Sequence, residues 1–140
     1  MAENSKVERA FWALRLTLGV SAFLAGADKF TNLLTDWRKY ISPKARKRLP
    51  VSGGTFMRMA GVIEMLVGVG ILSPRHRLSS YAASAWLLAI AGDLIMNDDY
   101  DIAVRDVNMA VAAFALGQLS AAHERRVKEQ ETLDYHSEAA

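Results

Sequence analysis

The stretch "GVIEMLVGVGIL", residues 61–72, carries one ionisable side chain, Glu64, in an otherwise apolar run. A soluble bundle helix backs its apolar stripe with a polar face. None is present here, and the same test works outward along the chain. "YAASAWLLAIAG" (81–92) is interrupted by Ser84 alone, and "MAVAAFALGQLSAA" (109–122) by Gln118 and Ser120. Both are apolar all round, and a soluble chain of 140 residues has no room to bury four such helices centrally.

Four segments follow this pattern, 10–27, 56–72, 78–96 and 104–122, each 17 to 19 residues long. As helices they span roughly 26 to 29 Å at ~1.5 Å per residue, close to a hydrocarbon core of about 30 Å. The expected fold is therefore all-α, a four-transmembrane-helix bundle forming one membrane domain over 1–122, with a polar tail over 123–140. "LPVSGGT" (49–55), "SPRHR" (73–77) and "NDDYD" (97–101) supply the breaks, with Pro74 ending the second segment and Asp101 in position to cap the fourth. Ala22 with Gly26, Gly61 with Gly68, and Ala113, Gly117 and Ala121 recur at helix-contact spacing. Small residues at such positions let helices approach closely in lipid. An A-x-A-like ending in "FLAGA" (23–27) resembles a leader-cleavage site, but Arg15 breaks the apolar run and Glu3 and Glu8 precede it, so 10–27 reads as a retained helix.

Composition hides this segregation, since mean hydropathy is only +0.08. A net charge of +2 and the absence of a basic helix with interleaved aromatics argue against a nucleic-acid partner. There is no cysteine, which excludes disulfides, thiolate catalysis and iron–sulfur ligation by this chain. His76, His123 and His136 lie far apart in the sequence, a poor metal-ligand spacing, so no metal centre is expected.

The first connection is too long for a turn. Phe30, Leu33, Leu34, Trp37 and Ile41 fall on one face of a helix over 30–43, which predicts an amphipathic interfacial helix anchored by Trp37 and Tyr40. "KARKR" (44–48) adds Lys44, Arg46, Lys47 and Arg48, suited to anionic lipid headgroups, so membrane lipids are the first expected partners. Positive charge does not orient the chain. Lys6, Arg9, Arg75, Arg77, Arg125, Arg126 and Lys128 fall on the side of the termini, and Lys29, Arg38, Lys39, Lys44, Arg46, Lys47 and Arg48 on the other, seven against seven.

Charged and amide groups inside the segments form the candidate site. Arg15, Asp28, Arg58, Glu64, Asp93, Arg105, Asp106 and Asn108 come from all four helices, most of them towards the side of the long connection. Asp93 and Asn97 share a helix face, as do Arg105 and Asn108. Such groups face a bundle interior or a wet cavity, commonly paired. One reading is an ion-pair network, Glu64 or Asp93 with Arg15, Arg58 or Arg105, that fixes helix register. A second is a polar pocket for a quinone headgroup, a small anion or a proton, and a third is contact with a partner subunit. A buried carboxyl without a partner is favoured in its protonated form. No nucleophile stands beside a base, and no Gly-rich phosphate loop is visible, so no catalytic residue is assigned.

"LRLTLGVSAFLAGADKF" (14–30), "GVIEMLVGVGIL" (61–72) and "DIAVRDVNMAVAAFALGQL" (101–119) together resemble the DoxX-like family of small bacterial membrane proteins. The shared pattern is a first helix ending G-x-D-K-F, a second opening G-x-x-E, and a fourth carrying R-D; "DWRKYISP" resembles a subgroup with an interfacial loop. The resemblance covers residues 10 to 122. It implies four transmembrane helices in the bacterial cytoplasmic membrane with both termini cytoplasmic. It also implies association with quinone-linked oxidoreductases and with complexes that counter oxidative stress. The expectation is thus a non-catalytic accessory subunit of a larger membrane redox or respiratory complex, partnered by other membrane subunits or by copies of itself. A quinone-interacting component and a small-solute or proton carrier are the alternatives. The chain needs no cofactor of its own, with quinone or lipid the ligands to consider.

Overall fold

A computed structural model describes residues 2–138. Its helices are α1 (Ala2–Thr31), α2 (Pro43–Arg48), α3 (Gly53–Leu72), α4 (His76–Met96) and α5 (Tyr100–Glu138), with a 3₁₀ turn at Trp37–Tyr40 before α2. Four are long and apolar enough to cross a bilayer, over Ser5–Thr31, Gly53–Leu72, His76–Met96 and Tyr100–Leu133. Their outward faces carry Leu16, Leu24, Leu66, Leu88, Val104, Val111 and Phe114, all exposed, with Leu66 66% accessible. A surface of this kind is stable only against lipid or another apolar face. The chain has the build of a multi-pass membrane protein.

Close packing joins α1 to α3 and α4 to α5, and the two antiparallel pairs meet through α3 with α4 and α1 with α5. Glycines set the first pair. A Cβ on Gly26 would lie 2.5 Å from the Gly61 carbonyl oxygen, and one on Gly61 2.6 Å from that of Gly26. Two turns away, a Cβ on Gly68 would lie 2.7 Å from the Gly19 oxygen. The backbones therefore touch at two levels. The spacing is seven on both helices, 19 to 26 and 61 to 68, so one antiparallel register satisfies both contacts. In the other pair, Gly117 lies against the Tyr81 ring. The apolar core between the pairs gathers Phe11, Leu18, Ile71, Ala83, Ala113 and Leu116. Ser80 and Ser120 are buried, and their hydroxyls donate to the His76 and Leu116 carbonyls one turn back. That removes their polarity from the core.

Two local expectations change. The interfacial segment is not one amphipathic helix over 30–43, because the Asp28 carboxylate pulls the chain into a turn. Its Oδ1 accepts from the Leu33 and Leu34 amides at 2.9 and 3.1 Å. Asn32, at φ 49°, takes the left-handed conformation that asparagine tolerates at a helix end. Leu33 and Leu34 consequently stand exposed, while Ile41 is buried. Beyond the turn, the Asp36 carboxyl accepts from the side chain and amide of Arg38, which holds it below the usual carboxylate range. Ser42 then caps α2, with Pro43 in its first turn. At the C-terminal end, residues 123–138 of the polar tail continue α5 as helix, about 24 Å long at ~1.5 Å per residue; residues 139–140 of the tail lie outside the described residues. The second change is that α5 starts at Tyr100, so Asp101 lies inside its first turn and is not the cap. Pro74 does follow the end of α3, with Ser73 as its cap.

Candidate functional site

The polar residues separate into two layers, one at each end of the bundle. At the end of the long connection, α1 contributes Asp28 and Lys29, and α3 contributes Glu64. Lys29 Nζ lies 2.6 Å from Glu64 Oε2, with both side chains almost fully buried. The same ammonium sits 4.0 Å from the centroid of the Trp37 ring. Trp37 in turn donates its indole N–H to Asp28 Oδ2 at 2.6 Å. Asp28, Trp37, Lys29 and Glu64 thus form one continuous chain of contacts running from the connection into α3. The glycine seam places it there, since a Cβ on Gly61 would lie 3.1 Å from the Lys29 Cβ, bringing α1 within reach of Glu64 one turn along.

A second set ties the connection to α4. Ser42 is fully buried and gives its hydroxyl to Asp93 Oδ1 at 2.5 Å and its amide to Oδ2 at 3.2 Å. One turn on, Asn97 Nδ2 donates to the Lys39 carbonyl and to Asp99. Asp93 and Asn97 do share a face, and that face seats the connection. Asp93→Ala leaves the Ser42 amide and hydroxyl without their acceptor, a loss of about 1–3 kcal/mol. Tryptic cleavage within 38–48 should then quicken about tenfold or more, as local opening frees the backbone beside the already exposed basic residues. An unchanged cleavage rate would show that Asp93 does not hold the connection.

The expected partners of Glu64 and Asp93 are corrected by this arrangement. Neither pairs with Arg15, Arg58 or Arg105. Arg58 and Asn108 point outward, as does Arg105, which pairs with its buried neighbour Asp106 at 2.9 Å. Towards a membrane boundary, long cationic side chains reach headgroup level more cheaply than they bury. Of the eight candidate residues, the structure joins Asp28 and Glu64 through Trp37 and Lys29, and it seats Asp93 separately on Ser42. Lys29 and Ser42 complete these contacts and are missing from the sequence-based set. Their signals were nonetheless present: Lys29 lies three residues after Gly26, as Glu64 lies three after Gly61, and Ser42 directly precedes a proline.

Arg15 belongs to the opposite layer. Its guanidinium donates to the carbonyls of Ile71, Leu72 and Ser73 at 2.8–2.9 Å. These are end groups of α3, where carbonyls lack helical partners and the helix dipole favours a cation. The Trp12 ring lies 4.7 Å away on its other side. Beside it, Phe11 stacks on His123 with centroids 4.7 Å apart and meets His76 edge-on at 5.5 Å. His123 Nδ1 lies 3.1 Å from Glu8, which also accepts from the Trp12 indole. Two histidines far apart in the sequence therefore converge around one phenylalanine. Among the described residues no group of three or more His, Cys, Asp or Glu could hold a metal ion.

Two buried side-chain nitrogens, His76 Nε2 and Trp86 Nε1, have no hydrogen-bond partner among the described residues. The Trp86 indole nitrogen, midway along α4, is enclosed without a hydrogen-bond partner among the described residues. Trp86→Phe removes that unmet donor and is expected to leave stability unchanged or raised by up to about 1 kcal/mol. A melting temperature lowered by several degrees would mean the indole N–H does have a partner in the membrane.

The chain matches no family model, no curated protein and no solved structure.

Proposed function

We propose that this chain is a non-catalytic membrane subunit that supports or assembles a larger complex. The DoxX-like resemblance suggests a redox or respiratory complex in a bacterial cytoplasmic membrane, with both termini cytoplasmic. The observation that carries the reading is where the intramembrane charges go. Glu64 is held by Lys29, Asp28 by Trp37 and its own turn, Asp93 by Ser42, and Arg15 by the end of α3. Groups engaged in this way fix helix register and the seating of the connection, and they leave an apolar exterior free for lipid and neighbouring subunits. A quinone-binding component would need donors open to the headgroup, and a carrier would need them open to its solute; the buried charges named above are engaged, so both readings have less support there, and the exposed Arg58, Arg105 and Asn108 are the donors such a ligand would have to use.

The test is purification of the tagged full-length chain from its native membrane in mild detergent, followed by mass spectrometry and quinone extraction. Co-purification of identified integral membrane proteins at fixed stoichiometry is the expected result. A lone chain carrying bound quinone would overturn it in favour of an oxidoreductase component. Solute flux into proteoliposomes above that of empty vesicles would overturn it in favour of a carrier.

A further inference from the structure

A shallow depression of about 400 Å³ lies where the connection meets the end of α4, lined by Lys39, Ile41, Pro43, Arg46, Lys47 and Asn97. Three of its six lining residues are cations and none is acidic. No carboxylate lies within ion-pair distance of the three among the described residues, although Arg38 nearby is paired with Asp36. Among the described residues the Lys39 ammonium meets the Tyr40 ring, at 4.7 Å, and no carboxylate. Arg46 gives one N–H to the Arg38 carbonyl, which positions its guanidinium and leaves its other donors open. The carboxylates of the neighbouring turn face other donors, Asp98 the Tyr100 hydroxyl and Asp99 the Asn97 amide. Three like charges held together with no carboxylate in ion-pair contact repel one another, and an anion seated between them relieves that repulsion. Its apolar lining is Ile41 and Pro43, and Asn97, the residue that closes the α4 span, lines it too. The depression therefore lies at the boundary of the hydrocarbon, where phosphate groups of lipids are concentrated.

From this geometry we propose that Lys39, Arg46 and Lys47 form a phosphate-binding site occupied by the headgroup of an anionic phospholipid. The guanidinium and ammonium donors take the phosphate oxygens, and Ile41 and Pro43 meet the first carbons of the lipid. Lys44 and Arg48, on the same short helix, lie outside the depression and contribute only to the general field.

The experiment titrates the full-length chain in detergent with short-chain phosphatidylglycerol, phosphatidylcholine or inorganic phosphate, reading retained ligand by native mass spectrometry. Phosphatidylglycerol should bind in preference to phosphatidylcholine. Lys47→Gln, an exposed substitution that leaves the fold alone, should weaken it about fivefold, and Lys39→Gln/Arg46→Gln/Lys47→Gln roughly a hundredfold. Lys44→Gln/Arg48→Gln should change it less than about twofold. Inorganic phosphate binding with the same dependence on Lys47 would uphold the site and name a soluble phosphate as its occupant. Equal retention of the two lipids, or equal loss in the Lys44/Arg48 variant, would overturn the proposal, since either outcome describes a diffuse surface and not a site.

Discussion

Gly61→Ile is expected to unseat α1 from α3 and lower stability by at least about 3 kcal/mol. A side chain here meets the Gly26 carbonyl oxygen, at 2.6 Å from the first added carbon. Overpacking is absorbed cheaply when the obstacle is the end of a flexible side chain. Here it is backbone, so a whole helix must move. The movement would also stretch the Lys29–Glu64 pair, which depends on the same register. Gly92 is the control, because a Cβ there meets nothing within 4 Å and Gly92→Ala should leave stability unchanged or raise it by up to about 1 kcal/mol, the helix-propensity gain. Denaturation in mixed micelles, followed by helix content, reads both. Wild-type stability in Gly61→Ile would mean that the two helices are not in backbone contact.

The second large effect concerns charge. Glu64→Leu should cost about 3–5 kcal/mol, because it strands the Lys29 ammonium in the bundle. The double variant Lys29→Met/Glu64→Leu should recover most of that, to within about 2 kcal/mol of the wild type. The residue of the loss is the contact between Lys29 and the Trp37 ring, whose attraction is typically ~0.5–2 kcal/mol. The sign of the coupling is the test. If the double variant is less stable than Glu64→Leu alone, Lys29 reaches water by itself and the pair is not a buried one. Recovery would support a structural role for Glu64 and weaken any proposal that it relays protons.

Local information carried the architecture. Whether a run of residues is apolar on every side can be counted along the chain, and "YAASAWLLAIAG" and "MAVAAFALGQLSAA" lie in helices long and apolar enough to cross a membrane. The break at Pro74 was legible for the same reason, since proline acts on its own neighbours. The interfacial segment was only half legible. Its apolar spacing from Phe30 to Ile41 fits one helix, but the Asp28 carboxylate competes for the amides of Leu33 and Leu34 and ends α1 first. Side-chain competition of this kind decides between helix and turn by a single contact that hydrophobic periodicity does not register.

Sequence by itself therefore determined four membrane-length helices, their order, and the fact that charges lie within them. Which charge meets which was decided only by tertiary structure. Lys29 finds Glu64 because Gly26 and Gly61 bring two backbones into contact at one register, and a shift of one turn would exchange every partner. Arg15 finds the end of α3, and His76 finds His123 across Phe11, by the same means. Hydrophobicity is a sum over neighbours in the chain. A buried ion pair depends on ångström distances between residues that only packing brings together.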